Sequence, residues 1–231
     1  MNRNQRGILY GMAIGGSYLR PRNRDRGINV CFLTEHSVAQ SEYIKHKRDL
    51  MHSICGGKRP EIHYRERHDK RTDKVYKSLS YSRTLLYFNQ IRKVLYPEGT
   101  KTYTRKMLNY LTPQGLALWY MDDGSIRGYT SKKTGNISSI QMSLATHCSK
   151  EEAEIIQTYF KEVWGVDARI HKRKSNGHIH YNICMNTKAA HRYASFIWPY
   201  IIPSMEYKMR FLEDFVLHTS AKPLSNGDDM V

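Results

Sequence analysis

The spacing of apolar positions changes several times along the 231 residues. Between 7 and 16, Ile8, Leu9, Met12 and Ile14 interleave with Gly7, Gly11 and Gly15, which predicts a helix. Residues 17–35 contain two strand-like runs, the second marked by Ile28, Val30 and Phe32 at period two. From Ser37 to about Ile54 the pattern is helical again. Residues 58–77 are densely basic and read as exposed strand and loop. Residues 84–95 predict a helix carrying Leu85, Leu86, Phe88, Ile91 and Leu95. Tyr96-Pro97-Glu98-Gly99 stops it.

The second half follows the same plan. Thr112 is a good N-cap and Pro113 a good first helical residue, with Leu116, Trp119 and Tyr120 following at helical spacing. Strands are expected over 125–130 and 139–146. Ser149 with Glu152 forms a capping-box pattern ahead of a helix reaching about Val163. The clearest hairpin comes next. Arg169, His171 and Arg173 alternate with Ala168, Ile170 and Lys172, Asn176-Gly177 supplies the turn, and His178, His180 and Asn182 alternate with Ile179, Tyr181 and Ile183. One face of that hairpin is cationic and hydrogen-bonding, as a sheet lying on a polyanion requires; a merely solvated face is the plain alternative.

Two halves in one order point to an internal duplication. Gly16 and Asp123 lie 107 residues apart, as do Lys101 and Lys208, and each lysine follows an apolar helix and a proline, Pro97 or Pro203. His36 and His147 are 111 apart, which a four-residue insertion in the second half explains. The expected division is a first repeat over 7–105, a second over 106–218, and a disordered charged tail over 219–231.

Charge narrows the function. Thirty-seven Lys and Arg stand against 21 Asp and Glu, a formal net charge of +16. Such a chain binds polyanions by releasing their counterions, so nucleic acid is the favoured partner over an anionic membrane surface. There is no apolar run long enough for a transmembrane helix and no signal-peptide pattern, and an intracellular setting is expected. The four cysteines form no CxxC pair and read as buried free thiols.

The segment Leu111–Ser125, LTPQGLALWYMDDGS, carries the sharpest chemistry. A capped helix of about three turns delivers Asp122 and Asp123 to one end, and Gly124 lets the chain leave sharply into a strand. Carboxylates at a helix C-terminus oppose the dipole, so they make sense where a divalent cation is held. Tyr120-Met121-Asp122-Asp123 also matches the YxDD core of reverse transcriptases, but that motif belongs in a strand hairpin. Gly7, Gly11 and Gly15, four apart, line one helix face and let another backbone approach. Ala117 is the small residue expected to face them, with Leu118 at the position matching Gly11.

This stretch resembles the second motif of single-chain LAGLIDADG homing endonucleases. Ile8–Leu19, ILYGMAIGGSYL, resembles the first motif, and PEGTKTYTRKML and IIPSMEYKM are further family features. The resemblance covers roughly residues 7–212. It implies an α+β fold of two pseudo-symmetric αββαββα repeats, whose motif helices pack at a pseudo-twofold axis and whose curved antiparallel sheets lie in the DNA major groove. It also implies site-specific hydrolysis of a long asymmetric double-stranded DNA site, dependent on Mg²⁺. By this resemblance Asp123 is the metal-binding catalytic acid, and Lys101 and Lys208 are basic residues that neutralise the scissile phosphate or polarise water. Ordinary phosphate contacts are the alternative role for both lysines. Asp122 is expected to be a helix-end or accessory residue.

The first motif departs from the pattern. Gly16 stands where the acid belongs and can offer a metal only its backbone carbonyl. Asp122 is too close to Asp123 to replace a group from the other helix unless it turns across the axis, and Asp25 and Glu35 lie outside the motif. Three readings stay open: an endonuclease with weakened or strand-biased cleavage, a cleavage-dead DNA-binding protein, and a maturase acting on group I intron RNA. The groove-facing strands are expected to present Tyr18, Arg20, Arg22, Arg24, Arg65 and Arg67 in the first repeat. In the second they present Arg127, Gln141, Ser143, Arg169, His171, Arg173, His178 and His180. Arginine can read guanine and glutamine adenine, although most contacts go to phosphate. No protein-splicing pattern flanks the repeats, which disfavours an intein.

Overall fold

Helix α1 spans Arg3–Ile14, starting four residues before the apolar pattern does. Its onset is set by a polar device rather than by periodicity. The Asn2 side chain accepts from the Gln5 amide, and the Gln5 side chain accepts from the Asn2 amide, so two orphan N–H groups are satisfied together. In this computed structural model the described residues are 1–21, 29–70, 73–175 and 177–212. Ile28, Arg22, Arg24, Asn176 and the tail over 219–231 lie outside them.

From α1 the chain runs into β1 (Ser17–Pro21), β2 (Val30–Ser37), α2 (Ser41–Cys55), β3 (His63–Asp69), β4 (Lys74–Leu85) and α3 (Phe88–Leu95). The short helix α4 (Arg105–Leu108) follows. The series then recurs as α5 (Pro113–Asp123), β5 (Gly124–Thr130), β6 (Ile137–Cys148), α6 (Lys150–Trp164), β7 (Arg169–Ser175), β8 (His178–Met185) and α7 (Thr187–Ile197). Both sheets are four-stranded and antiparallel, with orders β1-β2-β4-β3 and β5-β6-β8-β7. The αββαββα plan therefore occurs twice, as expected. The segment over 84–95 corrects one expectation. Leu85 ends β4, paired with Val30, and the helix begins only at Phe88. Leu86 is 69% exposed, so two adjacent leucines that read as a helix face belong to a strand end and a turn.

Predicted capping chemistry is present in the second repeat. The Thr112 hydroxyl accepts from the Gly115 amide, with Pro113 at the first turn. Ser149 and Glu152 form the capping box of α6. Gly177 in the β7–β8 turn has φ +81°, the left-handed region that glycine tolerates best. Each sheet turns one face onto a single apolar core shared by both repeats, in which Leu19, Phe32 and Tyr81 join Trp119, Met142 and Ile183. Burying both helix-facing surfaces in one core is what makes the two repeats one unit.

Helices α1 and α5 meet through small residues at the centre of that core. A β-carbon on Gly7 would run into the Thr112 side chain, one on Gly11 into the Gly115 backbone, and one on Gly15 into the Asp122 carboxylate. The glycine stripe thus lies on the contact face as expected, but its small partner is Gly115 rather than Ala117. Tyr43 donates to the Leu118 carbonyl at 3.1 Å and Tyr193 to the Leu116 carbonyl at 3.2 Å, tying α2 and α7 to the flanks of α5. We expect Gly11→Val to cost about 3 kcal/mol or more, because its branched carbons meet backbone that cannot move aside. The urea midpoint of unfolding measures this, and a shift below about 1 kcal/mol would mean that the helices do not pack this closely.

Candidate active centre and nucleic-acid face

The close helix approach brings the ends of α1 and α5 together. Lys101 donates to the Ile14 carbonyl and, at 3.4 Å, to that of Gly15. Lys208, in the 3-10 helix Pro203–Lys208, donates to Met121 O at 2.6 Å and Asp122 O at 3.0 Å. Each lysine thus reaches back 87 and 86 residues to the last carbonyls of its own motif helix. An ammonium there satisfies orphan carbonyls and complements the negative end of the dipole. The repeat register inferred from sequence is reproduced in these contacts: Gly16 and Asp123 each come two residues after the carbonyl that the lysine holds first.

The two helix ends carry different groups. The Asp122 carboxylate does not stay with its own repeat. It accepts from the Gly16 amide at 2.7 Å and from Lys47 Nζ at 2.9 and 3.0 Å. The Lys47 and Asp122 side chains are 0% and 1% exposed. His36 Nε2 lies 3.2 Å from Lys47 Nζ and 3.5 Å from Asp122 Oδ1. Burial, reinforced by the Lys47 charge, lowers the His36 pKa to about 4, so the ring is neutral near pH 7. Its Nδ1 lies 3.2 Å from Gln40 Oε1. With Nδ1–H donating to that amide oxygen, Nε2 is left to accept from Lys47. Asp122 is therefore more than the accessory residue expected: it turns across the axis into the first repeat.

Asp123 takes no ion-pair partner among the described residues. Desolvation, followed by the negative charge of Asp122, pushes its carboxyl up to about 6, although Lys101, Lys208 and Lys47 pull it down. Lys101 is lowered to about 8 by burial, with Asp123 and Asp122 opposing. Burial likewise lowers Lys208. Poised groups of opposite charge in one partly desolvated place are a recognised mark of a working site. Among the described residues no three His, Cys, Asp or Glu side chains cluster to hold a metal. The available donor set is one hard carboxylate, which suits Mg²⁺ if a substrate phosphate and water complete the shell.

Sequence reasoning missed Lys47 and used His36 only as a repeat marker. The signal for Lys47 was present: Tyr43, Lys47 and Met51 recur at four-residue spacing on α2, and all three are buried. A lysine in such an apolar line calls for a buried acid partner.

The predicted contact residues that are described share two sheet faces. In the second repeat Arg127 pairs with Gln141, Arg169 with Cys184, His171 with Asn182, Arg173 with His180, and Ser175 with His178. Ser143 pairs with Ser125 and Cys184. Cross-strand partners point to one side, so these residues line the face opposite Ile126, Met142 and Ile183. In the first repeat Tyr18 and Arg20 fall on the face shared with Arg65 and Arg67. The arginines are exposed, whereas Gln141, Ser143 and His180 are half-buried. The Tyr129 hydroxyl donates to Gln141 Oε1 at 3.0 Å, and the Ser125 and Ser143 hydroxyls hydrogen-bond at 2.9 Å. Toward the hairpin tip the alternation loses its apolar side: Ile179 is 53% exposed and Lys172 is also exposed, because the strands run past the core there.

A two-repeat α+β protein with paired motif helices, an acid at one helix end and two basic sheet faces is thereby defined. The profile of the LAGLIDADG DNA endonuclease family matches residues 6–193, and the chain belongs to that family. Protein RecA of Mycobacterium shimoidei is 27% identical over 208 residues, covering 87% of this chain and 45% of that protein. The chain thus spans about half the length of that RecA protein. Cytochrome b mRNA maturase bI2 of Debaryomyces hansenii is 24% identical, covering 87% of this chain and 72% of that protein. Among solved structures, the homing endonuclease I-WcaI bound to its DNA recognition sequence superposes with a TM-score of 0.72 at 21% identity, covering 90% of this chain and 86% of that one. Meganuclease I-SmaMI bound to uncleaveable DNA gives 0.55 at 12% identity, covering 95% and 91%. No helix among the described residues is long and apolar enough to cross a membrane.

The electrostatics of the centre can be read directly. We expect Asp123 to titrate near pH 6 in the metal-free protein, followed by NMR of its carboxyl carbon. Lys101→Met removes a cation that favours the ionised form, so the Asp123 midpoint moves upward. A midpoint below 5, or a downward move in the variant, would show that desolvation does not dominate at this carboxyl.

Proposed function

We propose that this chain is a site-specific double-stranded DNA endonuclease of the homing type, acting as a monomer with Mg²⁺-dependent hydrolysis biased toward one strand. The observation that carries the reading is the asymmetry of the helix ends. Asp123 offers a carboxylate with no ion-pair partner among the described residues, beside Lys101 and Lys208, whereas the matching position in the first repeat is Gly16.

The sheet faces supply placement. Exposed Arg20, Arg65, Arg67, Arg127, Arg169 and Arg173 neutralise phosphates and align base-reading side chains with the groove. Pseudo-symmetric but diverged faces suit a long asymmetric site. Phosphate docked over the helix ends meets Asp123, which would hold the Mg²⁺ through a carboxylate oxygen. When bound there, the ion supplies Lewis-acid stabilisation of the phosphoryl charge and an acidified water. Lys101 and Lys208 keep their positive charge close to the same place, countering charge that develops on the phosphoryl oxygens. The chain provides one such carboxylate, so the strand over Asp123 is cut faster than the strand over Gly16. The maturase likeness favours a second reading, in which the same basic faces grip intron RNA.

The test joins the DNA on either side of the intron or other inserted element that carries the coding sequence into an uninterrupted duplex with its strands labelled separately. We expect Mg²⁺-dependent cutting of one strand ahead of the other, lost by at least about a hundredfold in Asp123→Asn while binding persists. Binding without any cutting would make the chain a decayed nuclease. Failure to bind the duplex, with retention of intron RNA, would favour the maturase. On the bound duplex, Arg169→Ala is expected to relax preference at one base position by about 1–3 kcal/mol. A uniform loss across all sequences would reassign Arg169 to phosphate. Acid should weaken the site as well. Below pH 6 a proton must leave Asp123 before a cation binds, so Mn²⁺ affinity should fall by about tenfold per pH unit. A flat profile between pH 5 and 6 would remove Asp123 from the metal site.

A further inference from the structure

The group that fills the first repeat's helix end is an ion pair belonging to the protein. Gly16 has no side chain, yet its amide is held by a carboxylate, and that carboxylate comes from the other motif helix. Both oxygens of Asp122 face Lys47, and neutral His36 accepts from the same ammonium. The side of Gly16 that faces the ion pair is crowded. A β-carbon on Gly16 would come within 2.8 Å of Asp122 Oδ1 and 3.0 Å of His36 Cε1. Gly16 therefore sits where any side chain would displace the Asp122 carboxylate.

We propose that Asp122 and Lys47 together replace the metal centre of the first repeat: Asp122 takes the place of the acid missing at position 16, and the Lys47 ammonium takes the place of a divalent cation. The inference rests on reading the two helix ends as half-sites of a nuclease. Its physical content is a charge balance. A carboxylate driven into this buried end needs a compensating cation, and here α2 brings a lysine that is itself fully buried. An acid at 16 and an acid at 122 are then alternatives competing for one cation. The first half-site is complete without metal, and Asp123 is left, among the described residues at these helix ends, as the carboxylate open to one. It also follows that placing an acid at 16 does not by itself restore a second metal centre, because the new side chain crowds the Asp122 carboxylate that already holds Lys47.

The test is a double-substitution cycle read by thermal unfolding of the full chain without DNA, so its outcome does not depend on whether the protein cuts. Gly16→Asp alone lowers Tm, through crowding and through a second negative charge beside Asp122. Asp122→Ala alone lowers Tm, because Lys47 is left buried without an anion. In Gly16→Asp/Asp122→Ala the introduced carboxylate takes the vacated place beside Lys47. The double variant should melt about 5 °C or more above Asp122→Ala. If Asp122→Ala does not fold, folding of the double variant is the same rescue. A double variant that melts at or below Asp122→Ala, or that does not fold, overturns the proposal. Conversely, loss of strand-biased cutting with the rescue intact would overturn the nuclease reading and leave the internal ion pair as the occupant of this helix end.

Discussion

Everything in this molecule depends on how closely two helices approach. Gly7 and Gly11 let α1 settle against Thr112 and Gly115, so the ends of α1 and α5 open into one shared place. If the helices were held apart by ordinary side chains, Asp122 could not reach the Gly16 amide, and Lys101 and Lys208 would serve two separate sites. Backbone proximity is converted into charge proximity: two carboxylates and three lysines interact within one partly desolvated region. The two sheets hang from the same helix pair and share its core, so their basic faces are fixed with respect to the helix ends.

That crowding of charge also explains why the two halves differ. A symmetric pair of acids across the axis would repel unless cations intervened. This chain meets the constraint unequally. One carboxylate is neutralised internally by Lys47. The other stays protonated to an unusually high pH, because burial and Asp122 outweigh the lysines around it. A group so poised gains most from an incoming cation, which ties the strain of the empty-handed acid to the proposed use of metal.

The lysines at the helix ends serve structure, and in the proposed function the same charges serve the chemistry. By capping the carbonyls of Ile14 and Met121 they offset the unfavourable dipole that a C-terminal carboxylate meets. Their reduced basicity follows from the same burial. A phosphate contact alone would have left them solvated; instead they are built into the helix ends.

Much of this was legible in the order of residues. Period changes placed the strands, Thr112-Pro113 and Ser149 with Glu152 placed two helix starts, and the paired 107-residue spacings gave the repeat register, because these signals act within a few residues or by simple recurrence. Local reading failed where a polar cap or a strand end decided the matter, as at Asn2 and at Leu85. The expectation that Ala117 faces the glycines failed for a related reason: which face of α5 meets α1 depends on the packing of both helices, and it is Gly115 that does. The decisive feature was nonlocal. Asp122 and Asp123 are neighbours with one chemistry, and only packing sends the first across the axis to Lys47, 75 residues away, and leaves the second free. Sequence determined which charges exist and roughly where the elements lie; tertiary structure determined which charge meets which, because burial makes an unpaired charge costly and the packing of α2 against the helix ends brings Lys47 to Asp122.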